Sequence, residues 1–125
     1  MKVQIFSDLH VDVSAPKPIK IADGIDAVVC AGDVCEGVDK AFRVLRGFVP
    51  AATPILFVMG NHEFYRRCVP EEITLARALA RDWNIHFLED EAVELVVRGR
   101  DSSVRFVGFS LWTDYRYFGA SKVGS

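Results

Sequence analysis

Apolar residues follow two different rhythms along this chain. Residues 26–31 and 54–59 are continuous apolar runs, the pattern of strands buried on both faces, and residues 2–7 also read as a strand. Between these runs the period changes. Over residues 37–48, Val38, Ala41, Phe42, Leu45 and Phe48-Val49 recur at helical spacing, with Lys40, Arg43 and Arg46 on the other side. Gly47 and Pro50 are expected to end that helix. Pro70, followed by Glu71 and Glu72, marks a second helix start, because proline fits a first turn and acids favour the positive end of the helix dipole. Ile73, Ala76, Leu79-Ala80 and Trp83 form its apolar stripe, and Asn84 is the expected stop.

Residues 12–24 are polar, carry Pro16 and Pro18, and read as a loop. Residues 85–88 read as a short strand, Glu89-Asp90-Glu91 as a turn, and 92–97 and 104–109 as two further strands joined by a turn-rich loop. The tail 111–125 is aromatic at first and then small and polar, and is expected to order poorly near its end. The order β, loop, β, α, β, α predicts an α/β fold on a parallel sheet. The last strands predict a mixed edge or a second sheet.

Bulk properties narrow the function classes. With 125 residues, one domain is expected, able to bury roughly two-thirds of its unfolded surface. A net charge of −2 is too small to argue for nucleic acid, an anionic membrane or any highly charged partner, and nothing resembles the basic, aromatic-interleaved surface of a nucleic-acid binder. No apolar run approaches the roughly 18 residues of a membrane span. The start of the chain lacks the pattern of a signal peptide. Three cysteines, Cys30, Cys35 and Cys68, contain no CxxC pair and predict free thiols. Cys35 and Cys68 lie near the polar motifs described next, where ordinary thiols are a better reading than soft metal ligands. The expected compartment is the cytoplasm.

Three polar motifs follow three of the apolar runs: Asp8-Leu9-His10, Gly32-Asp33 and Gly60-Asn61-His62-Glu63. If those runs are neighbouring parallel strands, the motifs meet at one sheet edge, where open α/β sheets place their sites. Carboxylate plus imidazole suits Mn²⁺, Fe or Zn²⁺ better than Mg²⁺ or Ca²⁺. Asp8 and His10, two apart, aim the same way if the backbone is still extended. Gly32 lets the chain turn tightly beside Asp33. Asn61 offers a neutral oxygen ligand, and His62, pointing elsewhere, is free for proton transfer. Taken singly, each residue has an ordinary account: Asp8 and Asp33 as caps or turn formers, His10 and His62 as loop histidines, Asn61 in a left-handed turn. Arg66 and Arg67 read as a solvated pair, although they could meet a phosphate. Tyr65, Trp112 and Tyr115 read as packing residues, and Asp114 as a turn former.

The ordered trio of motifs resembles the calcineurin-like metallophosphoesterase family. The stretch Phe106 to Tyr115 is similar to a later strand and loop of one bacterial branch of it. The resemblance implies two facing sheets flanked by helices, of which this chain supplies the N-terminal half. It implies hydrolysis of a phosphomonoester or phosphodiester by a hydroxide bridging two divalent ions. Asp8 and His10 would bind the first metal, and Asp33 would bridge both. Asn61 would bind the second metal, His62 would protonate the leaving group, and Glu63 would orient the loop. The expected partner is a phosphorylated small-molecule substrate.

The family pattern continues with Gly-His and Gly-His-x-His motifs. This chain has three histidines, and His86 reads as a strand residue. The first metal would keep three of four protein ligands, the second only Asp33 and Asn61. Residues 1–125 are therefore expected to form a single, incomplete domain with an uncovered apolar face on its later strands. A piece of a longer chain, a naturally short relative, or a homodimer covering that face would each account for this. A catalytically impaired metal-binding remnant is the alternative function. A receiver-like phosphoaspartyl domain fits less well, because it wants an acidic pair after the first strand.

Overall fold

The computed structural model of the protein describes residues 1–15 and 19–111. The expectations for Pro16, Pro18, Trp112, Asp114, Tyr115 and the tail beyond Leu111 fall outside the described residues. The elements are β1 Val3–Phe6, β2 Ala27–Cys30, α1 Val38–Phe48, β3 Ile55–Phe57, a 3₁₀ turn His62–Phe64, α2 Val69–Ala80, β4 Ile85–Phe87, β5 Glu91–Val96 and β6 Ser103–Gly108.

The first four strands form one parallel sheet in the order β1-β2-β3-β4. Its registers align Val28 with Ile55 and Ile55 with Ile85, then Cys30 with Phe57 and Phe57 with Phe87. Because strand side chains alternate, these residues share one face. There they form a single core with Val38, Ala41, Phe42 and Leu45 of α1 and Ala76 and Ala80 of α2. Both helices therefore cover the same side of the sheet. Phe42 meets Phe57 edge-on, with centroids 5.6 Å apart, a favoured aromatic geometry.

The opposite face carries Ala27, Val29, Leu56, Val58 and Leu88, and onto it packs the antiparallel β5–β6 hairpin through Val93, Leu95 and Phe106. This is the expected two-sheet arrangement with helices on one outer side. The hairpin packs inward through Val93, Leu95 and Phe106, while Val96 on β5 and Val107 on β6 stay exposed at 76% and 65%, so the later strands do carry uncovered apolar residues. Other uncovered apolar residues are Ile5 on edge strand β1, 70% exposed, and Leu111 beyond β6, 91% exposed. Among the described residues, no helix is long and apolar enough to cross a membrane.

Two helix ends differ from expectation. Gly47 lies inside α1, and the chain leaves the helix at Val49, which is extended at φ −99°. The residue before a proline is pushed out of the helical region, so Pro50 alone supplies the stop. Helix α2 ends at Ala80, and Asn84, at φ 50°, closes the turns that follow. Glu72, expected only to face the α2 dipole, is buried and accepts the Val38 N–H at 2.5 Å. It thereby caps α1, whose N-cap Gly37 has no side chain to do so.

Candidate metal and proton-transfer site

The parallel strands end side by side, and the loops beyond them stay paired. The Asp8 N–H donates to the Gly32 carbonyl at 3.1 Å, His10 N–H to Asp33 O at 3.1 Å, and Val11 N–H to Val34 O at 3.0 Å. This backbone pairing carries the first motif along the second. It also corrects the expectation of extended backbone at Asp8 and His10. Strand β1 stops at Phe6, and Asp8 (φ 57°), His10 (φ 44°) and Asp33 (φ 56°) all occupy the left-handed region. For residues other than glycine, such backbone costs on the order of 1–3 kcal/mol each and clusters at functional sites.

The second and third motifs touch through their backbones. A Cβ on Gly32 would lie 2.3 Å from the Gly60 nitrogen, and one on Gly60 would lie 2.1 Å from Asp33 Oδ1. Both positions therefore require glycine for close approach. Glu63 fastens the junction. Its side chain is fully buried and accepts N–H groups from Val34 at 2.7 Å, Gly60 at 2.8 Å and Asp33 at 3.0 Å, with Cys35 N at 3.4 Å. Burial raises the Glu63 pKa above the usual 4.5, and the amides of Val34, Gly60 and Asp33 oppose that rise. Loop orientation by Glu63 is thus visible as a set of backbone hydrogen bonds.

Asp33, held by the His62 N–H on its Oδ1 at 2.9 Å, joins Asp8 and His10 in one group whose ligand atoms lie within 4.8 Å of one another. One ion with bonds of about 2.0–2.2 Å can span such a set after small side-chain rotations. Among the described residues, His10 Nδ1 is buried without a hydrogen-bond partner, a nitrogen left for a ligand to engage. The donor set of two carboxylates and an imidazole therefore fits a borderline divalent cation. His10, Asp12 and His62 form a second group with the same 4.8 Å limit.

Asn61 opens the 3₁₀ turn in ordinary right-handed backbone, φ −73° and ψ −24°. Its Nδ2 donates to the Tyr65 hydroxyl at 2.6 Å, which leaves the amide oxygen as the ligand-capable atom. Asp33, Asn61 and Tyr65 line one cleft of about 730 Å³ with Met59, Phe109 and Ser110, so the segment after β6 reaches the same place. His86 sits within β4, paired with Leu56, and belongs to neither ligand group.

One residue at the site, Asp12, was not singled out from the sequence, and another, Tyr65, was read only as a packing residue. Asp12 lies 3.4 Å from His62 Nδ1, and its side chain also accepts the Glu36 N–H at 3.2 Å. Slight burial acts to raise the Asp12 pKa, but hydrogen bonds from its own backbone, His62 and Glu36 hold it below the usual 3.8. The alternating Asp8-x-His10-x-Asp12 pattern was the available signal. Tyr65, read as a packing residue, is 47% exposed and packs its ring tilted against that of His62, with centroids 4.6 Å apart. Its position four residues after Asn61, one turn along a helix, was the missed signal.

The remaining expectations near the site concern arginines and thiols. Arg66 is exposed and 3.5 Å from Glu36, as a solvated side chain would be. Cys30 and Cys35 are buried, and burial pushes their thiols up to about 12 and about 11 respectively. Such thiols stay protonated at neutral pH and are poor soft ligands. Cys68 is exposed and free.

Comparison with curated proteins and with solved structures yields no match. The model of the calcineurin-like phosphoesterases matches residues 1–115, which takes in all three motifs and both sheets, and the chain belongs to that family.

Proposed function

We propose that this chain hydrolyses phosphoesters with the help of divalent metal ions, Mn²⁺, Fe or Zn²⁺. Asp8, His10 and Asp33 would hold the first ion, with Asp33 also facing the second beside Asn61. When bound, such ions polarise phosphoryl oxygens and lower the pKa of water, which supplies electrophile and nucleophile together. The chain's own residues do the rest. Asp33 is kept in place by the His62 N–H and by the close approach of Gly60. Asn61 is steadied by Tyr65 and presents its oxygen to the cleft. His62 gives a proton to the leaving oxygen.

The observation that carries this reading is the convergence of Asp8, His10 and Asp33 within 4.8 Å at the sheet edge where His62 also sits. The substrate is a phosphorylated small molecule, for which a cleft of about 730 Å³ has suitable size. The free thiols support a reducing compartment, the cytoplasm. A second reading, a metal-binding module without turnover, is favoured by the ligand count, because the second ion would have only Asp33 and Asn61 from this chain.

Incubation with Mn²⁺ and bis(4-nitrophenyl) phosphate separates the two. Turnover that needs metal and disappears in Asp33→Asn supports the hydrolase. Stoichiometric metal binding with no turnover supports the module.

A further inference from the structure

The cleft at the sheet edge extends beyond Asp33 and Asn61. Val58, Met59, Tyr65, Phe109 and Leu111 also line it. Next to it, a second cavity of about 270 Å³ opens between the two sheets and shares Val58, Phe109 and Leu111 with the first. The described lining of this second cavity, which includes Val29, Leu56, Leu88 and Phe106, is apolar throughout.

Two features build this apolar track. Gly108 lets the end of β6 close onto the parallel sheet, since a Cβ there would lie 2.6 Å from Leu88 Cβ and 2.9 Å from Val58 Cγ1. Ser110 then pins the segment that follows: its hydroxyl lies 3.0 Å from the Met59 carbonyl oxygen and 2.7 Å from Glu89 Oε2. Phe109 and Leu111, on either side of that anchor, are exposed to solvent and line both cavities. Apolar side chains held in water at the mouth of a cleft mark ligand grooves. The cleft's polar groups, by contrast, are engaged within the protein. Asp33 accepts the His62 N–H, Asn61 Nδ2 donates to the Tyr65 hydroxyl, and Ser110 meets Met59 and Glu89. Among the described residues, no Lys or Arg lines either cavity. A second phosphate or a carboxylate on the substrate would be desolvated there without a counter-charge.

We propose that this track seats the organic substituent of the substrate, so that the chain acts on phosphoesters whose substituent is uncharged and apolar. The inference rests on the phosphoesterase reading and narrows its substrate class. The phosphoryl group lies beside Asp33 and Asn61. The substituent runs past Tyr65 and Phe109 toward the cavity between the sheets. Burial of its apolar surface supplies affinity, and the walls of Phe109 and Leu111 supply selectivity.

Calorimetry on the full Mn²⁺-loaded chain with methyl-, butyl- and hexylphosphonate tests this without turnover. Each probe has one charged end and one alkyl end, so its orientation is fixed. Affinity is expected to rise about two- to fourfold per methylene, about fourfold being the value for complete burial. The 4-aminobutyl analogue, of butyl length but charged, should bind no better than methylphosphonate. Phe109→Ala and Leu111→Asn should each lower the hexyl-to-methyl affinity ratio by about five- to tenfold and leave metal content and methylphosphonate affinity unchanged. Phe109→Leu should keep most of the ratio. Val96→Ser, at an exposed position that lines neither cavity, is the control and should not change it.

Metal-dependent binding of methylphosphonate with no gain from chain length overturns the proposal and leaves the phosphoesterase reading standing. A gain that persists in both Phe109→Ala and Leu111→Asn also overturns it. So does a dimer that excludes hexylphosphonate and dissociates in Phe109→Ala, because a second copy then occupies the track. Chain-length dependence in the two variants as expected, but identical with and without Mn²⁺, supports the apolar seat and overturns the metal-dependent reading.

Discussion

Replacing Glu63 with glutamine tests how the two halves of the site are joined. The side chain is fully buried, and each of its oxygens serves two amides: Oε2 takes Asp33 and Gly60, Oε1 takes Val34 and, at longer range, Cys35. Glutamine keeps the shape and one oxygen. Its NH₂ group would then face two N–H donors, leaving both unsatisfied at about 1–3 kcal/mol each. Removing a buried charge offsets part of that loss. The net expectation is about 2–4 kcal/mol at neutral pH, against roughly 6–19 kcal/mol for a domain of this length. The variant should therefore fold, with a lower urea midpoint and an unchanged m value. Amide exchange at Val34 and Gly60 should accelerate selectively. Glu94→Gln on exposed β5 is the control and should cost under about 0.5 kcal/mol. If Glu63→Gln costs no more than that control, Glu63 does not hold the motifs together.

Three further outcomes follow from particular contacts. Gly60→Ala would place a Cβ 2.1 Å from Asp33 Oδ1 and should weaken Mn²⁺ binding by about 10–100-fold in calorimetry, whereas Gly47→Ala, with open space around it, should be neutral or slightly stabilising. Arg46 donates to the carbonyls of Trp83, Pro50, Thr53 and Asn84, so Arg46→Lys, which lacks the fork, should cost about 2–4 kcal/mol in urea denaturation. Burial lowers the His86 pKa below 6.5, so the unfolded chain takes up its proton first as pH falls. His86 therefore contributes stability that is present above about pH 6.5 and lost below it, and His86→Gln should lose less stability than the wild type between pH 7.5 and about pH 5.

The strands and helices were legible because burial imposes period: two-sided burial made 26–31 and 54–59 continuously apolar, and one-sided burial made 37–48 helical. The ends were less legible, since Val49 leaves α1 through the steric demand of Pro50, not through Gly47. The ligand types and their convergence could be read from Asp8, His10, Asp33 and Asn61 once parallel strands were expected. The backbone at Asp8 and His10 could not, because its left-handed turns arise from pairing with the loop after β2. Asp12 escaped notice for the same reason: only that pairing brings it to His62, fifty positions away in sequence. The uncovered apolar residues expected on the later strands are there in part, at Val96 and Val107, while Val93, Leu95 and Phe106 on the other face found a partner in the parallel sheet, which alternation alone does not tell.

The central claim is that Asp8, His10 and Asp33 form a working divalent-metal centre for phosphoester hydrolysis. Metal content and hydrolysis of bis(4-nitrophenyl) phosphate, measured together on the wild type and Asp33→Asn after Mn²⁺ loading and desalting, test it most directly. The account predicts that the wild type retains at least one ion per chain and turns over the ester, and that Asp33→Asn loses both while remaining folded. Retention of the same metal by both proteins, or by neither, would contradict it.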